Sequence, residues 1–353
     1  MPLGKRLASL LSFILILAGC SDTNRSFRPF PLLPSVPNTM LLVQSDGNLI
    51  LRSLAGDETM TLTADAQGTV NRNAQFAAEG MRIVWQRDDR DFRREVWVMN
   101  RDGLEKVKLG DGSIAPAGAV FRDGRVVYSE NVLATGVPIG STIRVVDLGS
   151  RLLQTIPLAT GTRAYEPQWS ASGRRIAFLT GDGFPDGKRS IVLWDADSAV
   201  AFPIDTAGVG PIKSRRRGFI RWAPTGNRLA FVRYDDTGTV PSLFVLDVRA
   251  HDVVADSLAV VGVEGNDNDS SPEWSSDGSR LFFRGVDLNL HSIPAAGGPQ
   301  ENVSQAVAIR PRVASGGTQI AYTTDVGAVT VSGLDGSNKR IVLSARPGVT
   351  AFY

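Results

Sequence analysis

The chain is short of the side chains that carry most enzyme chemistry. Its single cysteine, Cys20, excludes a disulfide within the chain and leaves no thiol pair for a metal. Its two histidines, His251 and His291, are too few for a histidine-rich metal centre, and no Gly-x-Ser-x-Gly elbow accompanies them. Neither sign of charge is in surplus: 38 Lys and Arg stand against 36 Asp and Glu. Such a chain lacks the long-range positive field behind non-specific nucleic-acid binding, so no nucleic-acid partner is expected. Long apolar runs are missing too. The longest, Leu7 to Ala18, falls well short of the roughly 20 residues that a membrane-spanning helix needs.

That short run has another use. Lys5 and Arg6 precede it and Leu17-Ala18-Gly19-Cys20 ends it, the order of parts in a secretory signal. The last four residues resemble the lipobox of bacterial lipoproteins. The resemblance implies that residues 1–19 are a signal peptide and that Cys20 carries acyl chains as the membrane anchor. Losing Lys5 and Arg6 with the leader would bring the basic count from 38 to 36, level with the 36 acids. Ser21, where an Asp would favour the inner membrane, points to the outer one. The protein is thus expected to be exported to the bacterial envelope and to face the periplasm. Residues 20–38 hold Pro29, Pro31, Pro34 and Pro37 and read as an extended tether, about 3.1 Å per residue.

What the chain has in quantity is glycine and one repeated phrase. Glu166 to Phe178 reads EPQWSASGRRIAF, and it returns as FIRWAPTGNRLAF from Phe219 and as SPEWSSDGSRLFF from Ser271. Weaker copies begin at Asn73, Gly118 and Arg310. In each, a packing residue is followed four positions later by glycine, then by a basic or polar residue and an apolar run. Branched and aromatic residues suit a pleated surface and glycine suits the tight turn between them, so each copy predicts a β-hairpin. The landmark glycines, Gly80, Gly124, Gly173, Gly226, Gly278 and Gly317, lie 39 to 53 residues apart, the length of a propeller blade. A second repeat starts at Leu49, Val96, Ile143, Ile191, Leu243, Leu290 and Val329. Seven copies predict seven blades.

The first blade lacks an inner strand of its own, and Val349 to Tyr353 is left over to supply one. The expected fold is therefore all-β: a seven-bladed β-propeller of four-stranded antiparallel blades over residues 39–353, closed by the C-terminal strand. Pro167, Trp169, Ser170, Gly173, Ile176, Ala177 and Phe178 resemble the TolB-type, WD-like propeller repeat, as do Pro272, Trp274, Ser275, Asp277, Gly278 and Phe283, and in the fifth blade Trp222, Pro224, Gly226, Leu229, Ala230 and Phe231. Val120 and Val313 depart from it at the Trp position. TolB itself has six blades after an α/β domain that these residues do not contain.

Periodic aromatics read as blade-to-blade packing, and periodic Asp-Gly pairs as turns. No cofactor is expected. Asp182 to Gly187 and Asn266 to Asp269 have the oxygen density for calcium without the spacing of a calcium loop, and solvated turn acids fit them better. Deviations from the repeat carry more information. The connections between second and third strands are long at Asp88 to Glu95, Glu130 to Ser141, Gly181 to Ser190 and Tyr234 to Ser242. On the same face, the lead-in to blade five carries Lys213, Arg215, Arg216 and Arg217. Arg90, Arg93, Arg94, Arg215, Arg216 and Arg217, with Phe92, Tyr234, Asp235 and Asp236, are the candidate binding residues. The expected function is non-enzymatic binding of an envelope protein or surface glycan by a monomeric propeller whose rim spans blades two to five. The alternative is a carbohydrate lyase or hydrolase acting at the central channel, where Glu166, Arg221, Glu273, Arg310 and Arg312 flank the repeat aromatics.

Overall fold

A computed structural model describes residues 40–353 other than 54–58, 66, 78–79, 92, 136, 182–188, 204–219, 235–240, 250–251, 255–259, 262–271, 315, 345–349 and 353. The leader, Cys20 and the tether lie outside the described residues.

Every named element is a strand. Blade one holds β1 (Met40–Ser45), β2 (Asn48–Ser53) and β3 (Thr59–Thr61); blade two holds β4 (Val70–Ala77), β5 (Arg82–Asp88), β6 (Arg94–Asn100) and β7 (Val107–Asp111). Blade three follows with β8 (Val126–Ala134), β9 (Val137–Val146) and β10 (Leu152–Ile156), and blade four with β11 (Arg163–Trp169), β12 (Arg175–Gly181), β13 (Arg189–Asp195) and β14 (Val200–Pro203). Blade five has β15 (Ile220–Trp222), β16 (Arg228–Tyr234), β17 (Pro241–Arg249), β18 (Asp252–Val254) and β19 (Val260–Val261), and blade six β20 (Glu273–Trp274), β21 (Arg280–Arg284), β22 (Asn289–Pro294) and β23 (Glu301–Val307). Blade seven is β24 (Ile309–Val313), β25 (Gln319–Thr323), β26 (Val329–Gly333) and β27 (Arg340–Leu343); β28 (Thr350–Phe352) pairs with β1 and gives the first sheet its fourth strand. The seven antiparallel sheets make a seven-bladed β-propeller.

Alternation explains how the blades stack. Ile176, Ala177, Phe178 and Leu179 are all buried, so β12 has no solvent face. Ile176 and Phe178 pack with Val127, Ile143 and Val145 of blade three, while Ala177 and Leu179 pack with Ile220, Leu229 and Phe231 of blade five. Blade six repeats this, with Leu281 and Phe283 against blade five and Phe282 against Ile320 and Tyr322 of blade seven. A one-residue slip would exchange the two faces of the blade. The repeat tryptophans lie in these seams as expected, Trp169, Trp222 and Trp274 each against the preceding blade.

The turns are local devices. In blade six, Ser275 Oγ donates to Asp277 Oδ1 at 2.6 Å, and the Ser279 N–H donates to the same oxygen at 3.0 Å. Bonds from Ser275 and Ser279 pull the Asp277 carboxyl down to about 2. At Gly47, with φ of 78°, a Cβ would stand 2.8 Å from the Thr69 carbonyl oxygen, so the Asp46-Gly47 turn admits only glycine there. The arginine after the turn glycine reaches into the next blade. Arg125 lies 4.6 Å from the Trp169 ring centre and Arg228 lies 5.3 Å from that of Trp274.

Blade three departs from the expected four strands. Its inner segment is reduced to isolated bridges, Ser113 to Ser129 and Val120 to Val126, because Pro116 has no N–H to offer and the flanking glycines weaken a strand.

Candidate functional site

Of the four long connections, those of blades two and three fall largely among the described residues, while 182–188 and 235–240 of the other two lie outside them. The Arg90 side chain donates from Nε to the Gln67 carbonyl, Arg94 Nη1 donates to Ser113 Oγ at 3.2 Å, and the Ser141 N–H donates to the Thr162 carbonyl at 2.8 Å. The first bond ties the blade-two connection to the segment entering its own blade; the other two join a second-to-third-strand connection, or its base, to the segment entering the next blade.

The blade-two arginines are less available than their sequence suggests. Arg90 lies across Gly68, whose added Cβ would stand 2.8 Å from Arg90 Cγ. Asp89 Oδ1 accepts the N–H groups of Asp91 and Arg93 at 2.9 and 2.8 Å and so shapes the turn. Among the described residues of the loop, the Arg93 guanidinium meets no acid or carbonyl, and that of Arg94 meets only the Ser113 hydroxyl. Beneath it Glu95 is a hub, 3.0 Å from Arg87, 2.9 Å from Lys108 and bonded by Trp97 Nε1 at 2.9 Å. Burial pushes the Glu95 carboxyl up, but the bonds from Lys108, Trp97 and Arg87 outweigh it and hold the group below its ordinary value. Arg215, Arg216, Arg217, Asp235 and Asp236 lie outside the described residues; Tyr234 ends β16, with its side chain outside them. Phe92, His251 and the two calcium-like segments, Asp182 to Gly187 and Asn266 to Asp269, are also outside. Among the described residues no group of three or more His, Cys, Asp or Glu converges as a metal site.

The connection read as Glu130 to Ser141 is not a loop. β8 and β9 continue through it as a regular hairpin, Asn131 opposite Ser141 and Ala134 opposite Val137, with a bulge at Val132/Leu133. β10 pairs only with Ile143 to Val146, so the outer half of the hairpin stands beyond the blade. Its side chains there are apolar and exposed: Val132 41%, Leu133 58%, Val137 60% and Ile139 42%. The signal was in the sequence, as apolar pairs on either side of Thr135-Gly136, a turn flanked by strand formers.

The second candidate region lies on the inner strands. The residue before the repeat tryptophan position occupies one register around the ring: Gln75, Ala119, Gln168, Arg221, Glu273 and Arg312. In blade four Gln168 Nε2 donates sideways to the Ile220 carbonyl of blade five at 2.7 Å; in blade five Arg221 Nε does the same to Pro272 of blade six at 3.3 Å. These polar side chains serve the blade seams as well as the channel. Blades five to seven add charge. Glu273 Oε2 lies 3.1 Å from Arg221 Nη2 and 3.8 Å from Arg312 Nη1, with both arginines buried. Burial pushes the Arg312 guanidinium down to about 10, aided by Arg221 and Arg310 and opposed by Glu273. Glu166 and Arg310 lie in the inner-strand bulges of blades four and seven, at φ of 52° and 53°, with Arg310 near enough to Arg312 to act on its charge. Glu273 is therefore bracketed by two guanidiniums.

No family model matches the chain, and no curated protein matches it. Among solved structures, a prolyl endopeptidase superposes with a TM-score of 0.59 at 13% identity, over 87% of this chain and 50% of that one. A functionally unknown protein from Desulfotomaculum acetoxidans superposes at 0.57 and 13% identity, over 88% of this chain and 98% of that one. A chain from the mitotic checkpoint complex superposes at 0.54 and 11% identity, over 82% and 84%. At such identities the likeness is one of fold, and the chain is a β-propeller.

Proposed function

We propose that this propeller is a binding module of the bacterial envelope that docks a protein on its rim and carries out no reaction of its own. The lipobox resemblance at Leu17 to Cys20 supports export and a lipid anchor on Cys20, with residues 20–38 as the tether. The observation that carries the binding reading is the blade-three hairpin. Four exposed apolar side chains on a hairpin whose β8 edge has no strand pairing beyond Ser129 among the described residues offer buried area and backbone bonds to a partner strand, and fully burying one such side chain is worth roughly 1.5–3 kcal/mol. The blade-two loop that carries Arg93 and the basic run Arg215 to Arg217 of the sequence would add charge-assisted bonds.

The test uses the full chain in the envelope, with a photocrosslinking residue at Leu133 or, as the control, at Met81, which is 59% exposed in a turn at the opposite end of the strands. A discrete protein adduct is expected from Leu133 and none from Met81, and it disappears when Arg215, Arg216 and Arg217 are replaced by Ala. Equal adducts at both positions, or none at either, overturn the proposal. If purified envelope glycan is retained by the unmodified chain and lost with the three arginines, the rim is a glycan site instead.

A further inference from the structure

The channel ring holds a charge that the seams do not require. At this register a glutamine is enough to bond the next blade, as Gln168 does to Ile220 and as Gln75 Nε2 does to Ala115 at 2.8 Å. Blade five uses arginine for the same sideways bond, and so brings a full positive charge to a position only 6% exposed. Blade seven brings a second at Arg312, 4% exposed. One carboxylate, Glu273, stands between them, so the trio carries one positive charge in excess in a place where charge is poorly solvated. The donors are not used up either. Arg221 Nε serves Pro272 and Nη2 serves Glu273, but Nη1 is buried with no hydrogen-bond partner among the described residues. Arg312 Nη1 donates to the carbonyl of its own neighbour Pro311 at 2.8 Å. Because both guanidiniums meet the same Glu273 oxygen, an anion beside one lies near the other.

We infer that the channel lining of blades five to seven binds one small anion, a carboxylate or an inorganic oxyanion, with Arg221 Nη1 as its principal donor and Arg312 as the second positive charge. A planar guanidinium fork matches a carboxylate or oxyanion edge, which favours these classes over a spherical halide. The site is independent of the rim, and its failure would leave the docking proposal untouched.

The measurement is isothermal titration of the full chain with acetate and, separately, with inorganic phosphate at constant chloride. One saturable site per chain is expected, and the preferred probe names the class. Arg221→Gln copies the arrangement of Gln168, so the bond to Pro272 is kept while the surplus charge goes; affinity should fall at least tenfold. Glu273→Gln removes the competing carboxylate and should raise affinity at least tenfold, which keeps the test open if Arg221→Gln does not fold. No saturable binding of either probe, an Arg221→Gln chain that binds as tightly as the wild type, or a Glu273→Gln chain that binds no more tightly would each overturn the inference.

Discussion

Blades two and three present adjacent connections on the same face, and they use that exposure in opposite ways. Blade two is dense with charge, yet most of its charged groups are engaged within it: Glu95 holds Arg87 and Lys108, Asp88 holds Arg72 at 3.0 Å, and Arg90 lies against the chain that leads into its own blade. Blade three has little charge at its tip, and its Val132, Leu133, Val137 and Ile139 stay about half exposed. A solvated ion pair is content in water, whereas an exposed apolar side chain gains by leaving it. The difference teaches that a run of charges in a sequence measures composition, not availability. The surface left wanting a partner lies next to the run and not within it.

The comparison can be broken at the seam between the two blades. Gly112 links them, its N–H donating to the Arg94 carbonyl at 2.8 Å, and an added Cβ there would press on the Ser129 carbonyl oxygen and the Tyr128 ring. Gly112→Ala should therefore cost about 1–3 kcal/mol in urea denaturation and loosen the base of the hairpin. A neutral result would mean that the blades do not meet as described. Next in size is Glu95→Gln, which removes the acceptor shared by Arg87, Lys108 and Trp97. Allowing for solvent around Lys108, the loss should be about 1 kcal/mol near neutral pH. Because the folded Glu95 carboxyl titrates below its usual 4.5, this contribution is present above that pH and fades as pH falls through the lowered value. A gap between mutant and wild type that persists undiminished at pH 2 would show that the hub is not electrostatic. The smallest stability effect belongs to blade three. Leu133→Ser should change unfolding by less than about 0.5 kcal/mol, since the side chain buries little, while weakening capture of any protein partner. A large loss of stability would instead place Leu133 in the fold.

The legible parts of this protein are those made by near neighbours in the chain. The turn of Ser275, Asp277 and Ser279, the Asp46-Gly47 hairpin and the alternation of Ile176 to Leu179 each involve residues a few positions apart, and repetition of the pattern shows seven blades to anyone counting. The channel was half legible. Arg221, Glu273 and Arg312 were visible as polar residues beside the repeat aromatics, but Glu166 and Arg310 looked equally placed in the sequence, which does not show that both occupy inner-strand bulges at φ of 52° and 53°. The blade-three hairpin was misread as a connection because its length broke the repeat, although its apolar pairs around Thr135-Gly136 had strand character throughout.

By itself, then, the sequence determined the blades, because hairpins depend on local backbone preference and on a period of two. Tertiary structure alone decided that Arg221, Glu273 and Arg312 share one charge-unbalanced site. Those residues come from three blades, 52 and 39 positions apart in the chain, and only the curvature of the packed ring brings their side chains within 4 Å of one another at Glu273.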